Sequence, residues 1–347
     1  MTTLSLRGRK LIDSPPMPEY IVEHFNRIGD PWHPVSNAQG YIGLCVAENK
    51  LDNHALAKQL ATYEAPARTL NYDAMNGNYE FRQRLSEFMG RTFLKREFEP
   101  EQLIVLAGAG AILECLFYAI CDPGDGVLIP TPSYAGFWPD IETRDELTVV
   151  PVHCSSVDQF KLTPALLDAA LDTADVPIRA LLFTTPNNPL GQVYAREEVM
   201  EIVEWSQARG LHLVVDEIYA LSVFGKREFV SVATLSPALG DNIHITWAFS
   251  KDFGASGLRC GVMVSENQDI LNAVNALAYW CASSGHTQYL LSQLLGDSMT
   301  VDNYLTNMRN HLRQAYQCAT DALSNANIPY YPADAAFFLV CDLREYL

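Results

Sequence analysis

Residues 244–254 read HITWAFSKDFG and place a lysine directly after a largely apolar run. The run His244–Phe249 predicts a buried β-strand, and Lys251 stands just beyond its end. Most lysines are solvated surface residues, but a lysine whose pKa is lowered becomes an amine nucleophile that can form a Schiff base. The position of Lys251 leaves both interpretations open.

Six other short apolar segments predict strands, and helical periodicity fills most of the gaps, as at Arg196–Ala208 and Ile270–Cys281. The six segments are Leu103–Leu106, Gly126–Ile129, Leu147–Val152, Ala180–Phe183, Leu211–Val215 and Cys260–Val264. Continuous apolar strands that alternate with helices predict an α/β fold, with a mostly parallel seven-stranded sheet between helices. Ligands of such sheets bind beyond the carboxyl ends of the strands.

The remaining segments predict an arm and a second, smaller domain. The first fifty or so residues are rich in proline and aromatic residues and predict an irregular arm. Two helical patterns lie between Asn53 and Phe98, with a break at Asn71–Asn78, while Tyr289–Ala326 predicts helix and Phe337–Cys341 predicts one more strand. We expect three parts: an arm with part of the small domain at 1–52, a large ligand-binding domain at 53–288, and the start of the C-terminal small domain at 289–347.

Composition excludes several classes of partner. The 347 residues carry a formal net charge of −17, which repels nucleic-acid phosphates and anionic lipids, so neither is an expected partner. The longest apolar stretch, Leu103–Ile120, contains Glu114 and two glycines and predicts a strand followed by a helix, not a membrane span. The eight cysteines show no CxxC pair or zinc spacing, so we expect reduced thiols, no metal and a cytoplasmic protein.

Polar residues follow two other predicted strands. Asp216 closes the strand at Leu211–Val215; it either caps a turn or presents an anion to a protonated pyridine nitrogen. Tyr219 follows three residues later and can place its phenol on the same ligand. The segment Thr185–Gly191 is typical of a loop, although the amide of Asn188 can also donate to a phenolate oxygen.

Three features indicate an anion and a planar ring. The small residues Gly108, Ala109 and Gly110 between a strand and a helix let backbone N–H groups reach a phosphate. Arg259, eight residues after Lys251, can bind the same phosphate through two hydrogen bonds. Tyr134, after another strand, is either a packing residue or a stacking partner for a ring.

Five of these residues resemble, in type and in order, the cofactor-binding residues of the class I/II (fold-type I) aminotransferases, which use pyridoxal 5′-phosphate (PLP). They are Asn188, Asp216, Tyr219, Lys251 and Arg259. The likeness runs from about Trp32 to the end of the chain. It implies that Lys251, Asp216 and Tyr219 are catalytic, with Lys251 holding the internal aldimine and Asp216 keeping the pyridine nitrogen protonated.

The same resemblance implies the other contacts to PLP. Asn188 and Tyr219 would bind the ring hydroxyl, Tyr134 would stack on the ring and Arg259 would bind the phosphate. The implied cofactor set is completed by Ala109, Gly110, Ser250 and Tyr72. Tyr72 looks like the family's tyrosine that reaches the phosphate of the neighbouring subunit, which implies a homodimer.

A narrower likeness concerns the segments DPWHP (30–34) and GLCVAENKL (43–51), together with SKDFG (250–254). They resemble the 1-aminocyclopropane-1-carboxylate synthase branch, in which the glutamate matching Glu48 lies by the substrate. Without this motif, Glu48 would be interpreted as a solvated carboxylate. The resemblance implies a substrate set of Glu48 and Asn188.

The chain departs from the family pattern at three places. Ala248 stands where the family usually has a phosphate-binding serine, and Gly110 stands where the synthase branch usually has threonine. Since charge-assisted hydrogen bonds contribute about 1.5–3 kcal/mol each, we expect weaker PLP binding than is usual for the family. The segment 337–344 resembles a strand well before the family's C-terminus, and no residue matches the arginine that grips the substrate carboxylate. We therefore expect a C-terminally incomplete small domain.

The resemblance implies an enzyme that acts on an α-amino acid through an external aldimine and a Cα carbanion, and first of all an aminotransferase. The branch leaves open a 1-aminocyclopropane-1-carboxylate synthase-like or carbon–sulfur lyase reaction. Ala248, Gly110 and the missing arginine keep a second class open, a catalytically inactive homologue that acts as a subunit. A Rossmann dehydrogenase is disfavoured because Gly108–Gly110 does not continue as GxGxxG.

Overall fold

A computed structural model describes residues 3–346, and its centre is a seven-stranded sheet. The strands are β1 (Leu103–Leu106), β2 (Gly126–Thr131), β3 (Thr148–His153), β4 (Ile178–Thr184), β5 (His212–Asp216), β6 (Ile243–Ala248) and β7 (Gly261–Ser265). Their order is β1-β7-β6-β5-β4-β2-β3, with β7 antiparallel to both neighbours and the other pairs parallel. This confirms the predicted mostly parallel sheet, with each strand boundary within two residues of its prediction.

Twelve α-helices cover the sheet and form much of the rest of the described chain. They are α1 (Leu6–Asp13), α2 (Glu19–Arg27), α3 (Asn53–Leu60), α4 (Tyr79–Met89), α5 (Ala109–Ile120), α6 (Phe137–Glu142), α7 (Pro164–Asp172), α8 (Arg196–Ala208), α9 (Phe249–Asp252), α10 (Gln268–Leu277), α11 (Gly285–Gly296) and α12 (Ser298–Asn325). The pattern predicted as one helical stretch from Tyr289 is two helices, because Asp297 caps α12 by accepting a hydrogen bond from the Thr300 N–H. Within residues 3–346, no helix combines the length and apolar character needed to cross a bilayer.

Alternation along each strand divides the apolar residues between two cores. In β5, Leu213 and Val215 belong to one core, which also contains residues of α4, α8, α11 and α12. Val214 belongs to the other core, which α5 and α10 complete. By the same alternation, Asp216 lies on the face of the sheet that α5 covers. The fold therefore sets the direction of this carboxylate before any site chemistry is considered.

The prediction of a strand at Phe337–Cys341 was wrong. Within the described chain this segment makes one isolated bridge, Tyr330 to Cys341, and no ladder. Ala336, just before it, has φ +64, a left-handed conformation that interrupts extended backbone. The next two side chains, Phe337 and Phe338, both pack against the Tyr219 ring, whereas successive side chains of a strand would point to opposite faces of a sheet.

The prediction of an irregular arm was also wrong in part, since α1 and α2 lie within it. Ser5 caps α1 by accepting a hydrogen bond from the Gly8 N–H, and Pro18 stands just before α2. Neither helix was evident from apolar periodicity because α1 has no buried residue and α2 buries only His24. The stretch Pro31–Pro34 remains irregular, as expected.

Candidate active site

Four parallel strands deliver the predicted site residues to one edge of the sheet. Because β2, β4, β5 and β6 run in the same direction, the residues that follow them meet beyond the same edge. A cavity of about 1310 Å³ opens there, lined by Gly110, Tyr134, Asn188, Tyr219 and Lys251, among others. Segments far apart in the chain thus line a single cavity.

The amine of Lys251 is held at the wall of this cavity. Its Nζ donates a hydrogen bond to the carbonyl oxygen of Ala47 at 2.7 Å and lies 6.0 Å from the centre of the Phe337 ring. Burial lowers the pKa of Lys251, and Arg259 adds to this, whereas Glu48 acts in the opposite direction. The neutral amine, the nucleophilic form, is therefore easier to reach than in a solvated lysine.

Asp216 is a buried carboxylate, 5% exposed, at the end of β5. Its Oδ1 accepts hydrogen bonds from the Ile218 N–H at 3.3 Å and from the Thr246 hydroxyl at 3.4 Å. Burial raises the pKa of Asp216 to about 7, although these hydrogen bonds and Lys251 oppose the rise. A cationic partner would restore the charged form, since an opposite charge nearby favours ionisation.

Asn188 and Tyr219 form a second polar pair in the cavity wall, with the amide Nδ2 of Asn188 3.4 Å from the Tyr219 hydroxyl. The Tyr219 ring packs edge-on against Phe337 and Phe338, with ring centres 5.6 and 5.3 Å apart. Burial, with a contribution from Asp216, raises the pKa of Tyr219 well above its ordinary value, so the phenol keeps its proton. The pair therefore offers two donors to an oxygen of a bound ligand.

The N-terminus of α5 and one arginine form a cradle for an anion. No side chain caps this 12-residue helix, whose first two residues are Ala109 and Gly110. Its first backbone N–H groups can therefore donate hydrogen bonds to an anion. Gly108 has φ +99, and a Cβ there would lie 2.6 Å from an Nη atom of Arg259. Glycine is thus required for the guanidinium to approach the backbone just before the helix. Arg259 is held there by donating to the Ala107 carbonyl oxygen at 3.1 Å.

The remaining predicted residues differ in whether they line the cavity. Tyr134, 48% exposed, lines the cavity with its ring edge-on to Phe137, and Ser250 is buried within α9. Glu48 lines the cavity, where it accepts from the Ser256 hydroxyl at 3.2 Å. Tyr72 is 96% exposed and does not line the cavity, so the described chain brings it together with none of the others.

Sequence reasoning missed Asp252, which follows Lys251 and is fully buried. Its carboxylate accepts hydrogen bonds from the Trp247 indole N–H, the Leu221 N–H and the Ser222 hydroxyl at 2.9, 3.0 and 2.6 Å. This one side chain joins the end of β6 and the lysine-bearing helix α9 to the turn after Tyr219. The SKDFG motif was the only sequence signal for it, and that motif does not reveal the partners.

These residues fit PLP by their chemistry. A cavity-lining amine suits the aldehyde, and the buried carboxylate of Asp216 suits a protonated ring nitrogen. The uncapped helix with Arg259 suits a phosphate. Within residues 3–346, no group of three or more His, Cys, Asp or Glu side chains is arranged to hold a metal ion.

Comparison with known proteins identifies the family. The model of aminotransferase class I and II matches residues 39–346. The 1-aminocyclopropane-1-carboxylate synthase 6 of Arabidopsis thaliana is 33% identical over 337 residues, which cover 92% of this chain and 68% of the relative. Synthase 5 of Oryza sativa subsp. japonica is 34% identical over 340 residues, covering 92% of this chain and 64% of the relative. The chain thus spans about two thirds of the length of these relatives.

A third relative carries a different description. The probable inactive 1-aminocyclopropane-1-carboxylate synthase-like protein 2 of Mus musculus is 33% identical over 362 residues, covering 99% of this chain and 62% of the relative. Among solved structures, the aspartate aminotransferase of Thermus thermophilus with maleate shares the fold, with a TM-score of 0.81 at 20% identity, over 100% of this chain and 87% of that one. The chain therefore belongs to the aminotransferase class I and II family of fold-type I, PLP-dependent proteins, in its 1-aminocyclopropane-1-carboxylate synthase-like branch.

Proposed function

We propose that the protein is an enzyme that removes the α-proton of an α-amino acid and completes a transamination. The observation that carries the proposal is the partly buried, cavity-lining amine of Lys251 at the same sheet edge as Asp216. Bound PLP supplies the electron sink that makes the α-proton acidic. The chain's own residues supply the binding, the orientation and the proton transfers.

Each residue of the proposed site has a task in holding the cofactor. Lys251 binds the aldehyde carbon, and Asp216 pairs with the protonated ring nitrogen. Asn188 and Tyr219 donate to the ring oxygen, which their 3.4 Å separation supports. The other proposed cofactor contacts are Tyr134 on the ring face, Ala109, Gly110, Ser250 and Arg259 at the phosphate, and Tyr72 from a neighbouring subunit.

Lys251 is the proposed base. With a substrate amino acid held beside bound PLP, the amine of Lys251 would be free to accept the α-proton. Its lowered pKa suits this task, because a general base is most effective when its pKa lies near the working pH. For transamination, the same Lys251 amine would also return the proton that it had accepted. A leaving group on the β- or γ-carbon of the substrate, such as a thiolate or a sulfide, would divert the reaction to lyase or cyclopropane-forming chemistry.

Glu48 is the proposed substrate contact, together with Asn188. Partial burial alone would raise the pKa of Glu48, but the hydrogen bond and charge of Lys50, at 3.2 Å, hold it below its ordinary value. Glu48 is therefore an anion at neutral pH, on the same wall as Lys251. An anion there favours substrates whose side chains carry a cation or hydrogen-bond donors.

The first experiment tests for the lysine-bound cofactor. PLP is added to the wild type, to Lys251→Ala and to the surface control Lys226→Ala, and each sample is reduced with borohydride and digested. We expect a pyridoxyl group on the Lys251 peptide of the wild type and of the control. Uptake in which the label is absent from Lys251, or equal uptake and activity in Lys251→Ala, would overturn the proposal.

The second experiment identifies the outcome of the reaction. The PLP-loaded protein is mixed with single amino acids, and the products are measured. Formation of pyridoxamine phosphate with release of a 2-oxo acid supports transamination. Release of ammonia, a thiol or 1-aminocyclopropane-1-carboxylate without pyridoxamine phosphate would contradict transamination and support the lyase alternative.

An inactive subunit is the second candidate function. It is favoured by Ala248 and Gly110, which remove two side-chain hydroxyls from the proposed phosphate site, and by the likeness to the murine protein described as probably inactive. This candidate predicts that the protein shows no turnover with any amino acid even when PLP is bound at Lys251. Turnover that depends on Lys251 would exclude it.

A further inference from the structure

Two cysteine thiols are in contact in the core between α5 and α10, close to the anion cradle formed by the N-terminus of α5 and Arg259. The sulfur atoms of Cys115, in α5, and Cys281, after α10, lie 3.3 Å apart although 166 residues separate them in the chain. Cys115 is 6% exposed, whereas Cys281 is only partly buried. Both thiols are free. The two sulfurs are therefore in contact, and Cys281 is the more accessible of the two residues.

We propose that Cys115 and Cys281 form a site of reversible oxidation, at which a hydroperoxide converts the two thiols into an intramolecular disulfide. This does not rest on the proposed reaction with amino acids. Among the eight cysteines, it is the pair whose sulfurs contact each other; the Cys154 thiol, by comparison, donates only to a backbone carbonyl oxygen.

The chemistry follows from the difference between the two thiols. The thiolate of Cys281, the more accessible residue, attacks the hydroperoxide, so that an S–O bond forms, the O–O bond breaks and an alcohol or water leaves. Burial, with the neighbouring Cys281, raises the pKa of Cys115, so Cys115 is the poorer first nucleophile. Cys115 then loses its proton and attacks the Cys281 sulfur; an S–S bond forms and water leaves. Two thiols and one hydroperoxide thus give one disulfide, one alcohol or water, and one water.

The pair is connected to the proposed phosphate site through short contacts. The carbonyl oxygen of Cys281 accepts from the Ala107 N–H at 2.8 Å, next to the cradle glycine. Two residues on, the Ser283 hydroxyl donates to the backbone carbonyl oxygen of Arg259 at 3.2 Å. Drawing Cys281 toward α5 would shift both of these anchors. We therefore expect oxidation to weaken PLP binding, by at least about threefold.

The test combines thiol counting with peptide mapping. The full chain is treated with hydrogen peroxide, remaining thiols are alkylated, and the digest is analysed by mass spectrometry with and without dithiothreitol. The expected result is joint loss of alkylation at Cys115 and Cys281, a linked peptide two hydrogens lighter than the pair, and full recovery on reduction. Sulfinic or sulfonic acid at Cys281 with Cys115 still reduced would overturn the proposal, as would unchanged thiols at both.

Variants separate the disulfide from general damage. Cys115→Ser and Cys281→Ser should each abolish the linked peptide, while Cys154→Ser should leave it intact. The dissociation constant of PLP, measured by titration, should rise on oxidation in the wild type and in Cys154→Ser, but not in Cys281→Ser. An equal change in all variants, or no change in the wild type, would overturn the proposed coupling while leaving the function of Lys251 untouched.

Discussion

The amine of Lys251 donates a 2.7 Å hydrogen bond to the carbonyl oxygen of Ala47, 204 residues earlier in the chain. This contact places the segment Gly43–Leu51 against the lysine, so the N-terminal arm is part of the cavity wall and not a peripheral feature. Close packing of Gly254 beneath Asn49 supports the same arrangement, because a Cβ on Gly254 would lie 2.4 Å from the Asn49 carbonyl oxygen.

Replacing Gly254 tests whether the arm segment is held this tightly. Gly254 has φ +59, a conformation that costs non-glycine residues energy, and its surroundings leave no room for a methyl group. We expect Gly254→Ala to lower the free energy of unfolding by about 1–3 kcal/mol. Denaturant unfolding measures this. Gly257→Ala is the matched control, since nothing lies within 4 Å of its Cβ position; equal losses in the two variants would contradict the packing argument.

Asp216→Asn tests the proposed partner of the ring nitrogen. The amide keeps the shape of the side chain but removes the charge, and a charge-assisted hydrogen bond contributes about 1.5–3 kcal/mol. We expect PLP to bind roughly 10- to 100-fold more weakly, as measured by equilibrium titration. Asp241→Asn, on the exposed surface, should not change the affinity. An Asp216→Asn variant with wild-type affinity would remove the carboxylate from the proposed site.

Ala248→Ser restores the hydroxyl that the family usually has at this position. Ala248 is fully buried and packs with Tyr219 beside Ala109, at the N-terminus of α5. If the hydroxyl reaches the phosphate, PLP should bind about 10-fold more tightly. Titration of Ala248→Ser against the exposed control Ala238→Ser measures the effect. Weaker or unchanged binding would show that the phosphate lies elsewhere.

Substitution of Tyr72 tests the proposed homodimer. The Tyr72 side chain is 96% exposed, so it can contribute to a PLP site only if that site belongs to a neighbouring subunit. We expect light scattering to give twice the 38.6 kDa chain mass, and Tyr72→Phe to bind PLP several-fold more weakly. Mixing Tyr72→Phe with Lys251→Ala should restore one tight site per hybrid dimer. A monomer in solution, or no restoration, would contradict a site shared between subunits.

The buried carboxyl of Asp145, which lies outside the proposed active site, should make the free energy of unfolding depend on pH. Its two oxygens are buried without a hydrogen-bond partner, and burial, with Glu114, raises the pKa of Asp145 to about 7. The unfolded carboxyl has a pKa of about 3.9. Because the folded state holds the proton more tightly, the stabilising contribution is complete below pH 4 and is lost as the pH rises through 7.

Asp145→Asn should therefore be more stable than the wild type at pH 8, by about 1–3 kcal/mol, because it does not place an unpaired charge in the core. The advantage should disappear at pH 4. Denaturant unfolding at the two pH values measures both results, with the exposed Asp175→Asn as the control. An advantage that is equal at both pH values would show that the carboxyl does not titrate in this range.

Local sequence determined the strands and the chemistry-bearing residues after them. The apolar runs that became β4, β5 and β6 bury nearly every side chain on both faces, so their pattern is continuous and their ends are marked by the polar residues Asn188, Asp216 and Lys251. Apolar periodicity works here because solvent is excluded from both faces of a covered sheet. The sheet edge that collects these residues follows from the parallel direction of the strands.

The contacts made across long stretches of chain depend on how the folded elements pack. Nothing near Ala47 in the sequence indicates that its carbonyl oxygen meets Lys251, or that Asp252 joins α9 to the turn after Tyr219. The paired sulfurs of Cys115 and Cys281 are equally invisible in their spacing. The physical reason is that a hydrogen bond or a sulfur contact depends on the positions that two groups take in the folded protein. A local sequence pattern, in contrast, indicates only which face of its own helix or strand is buried.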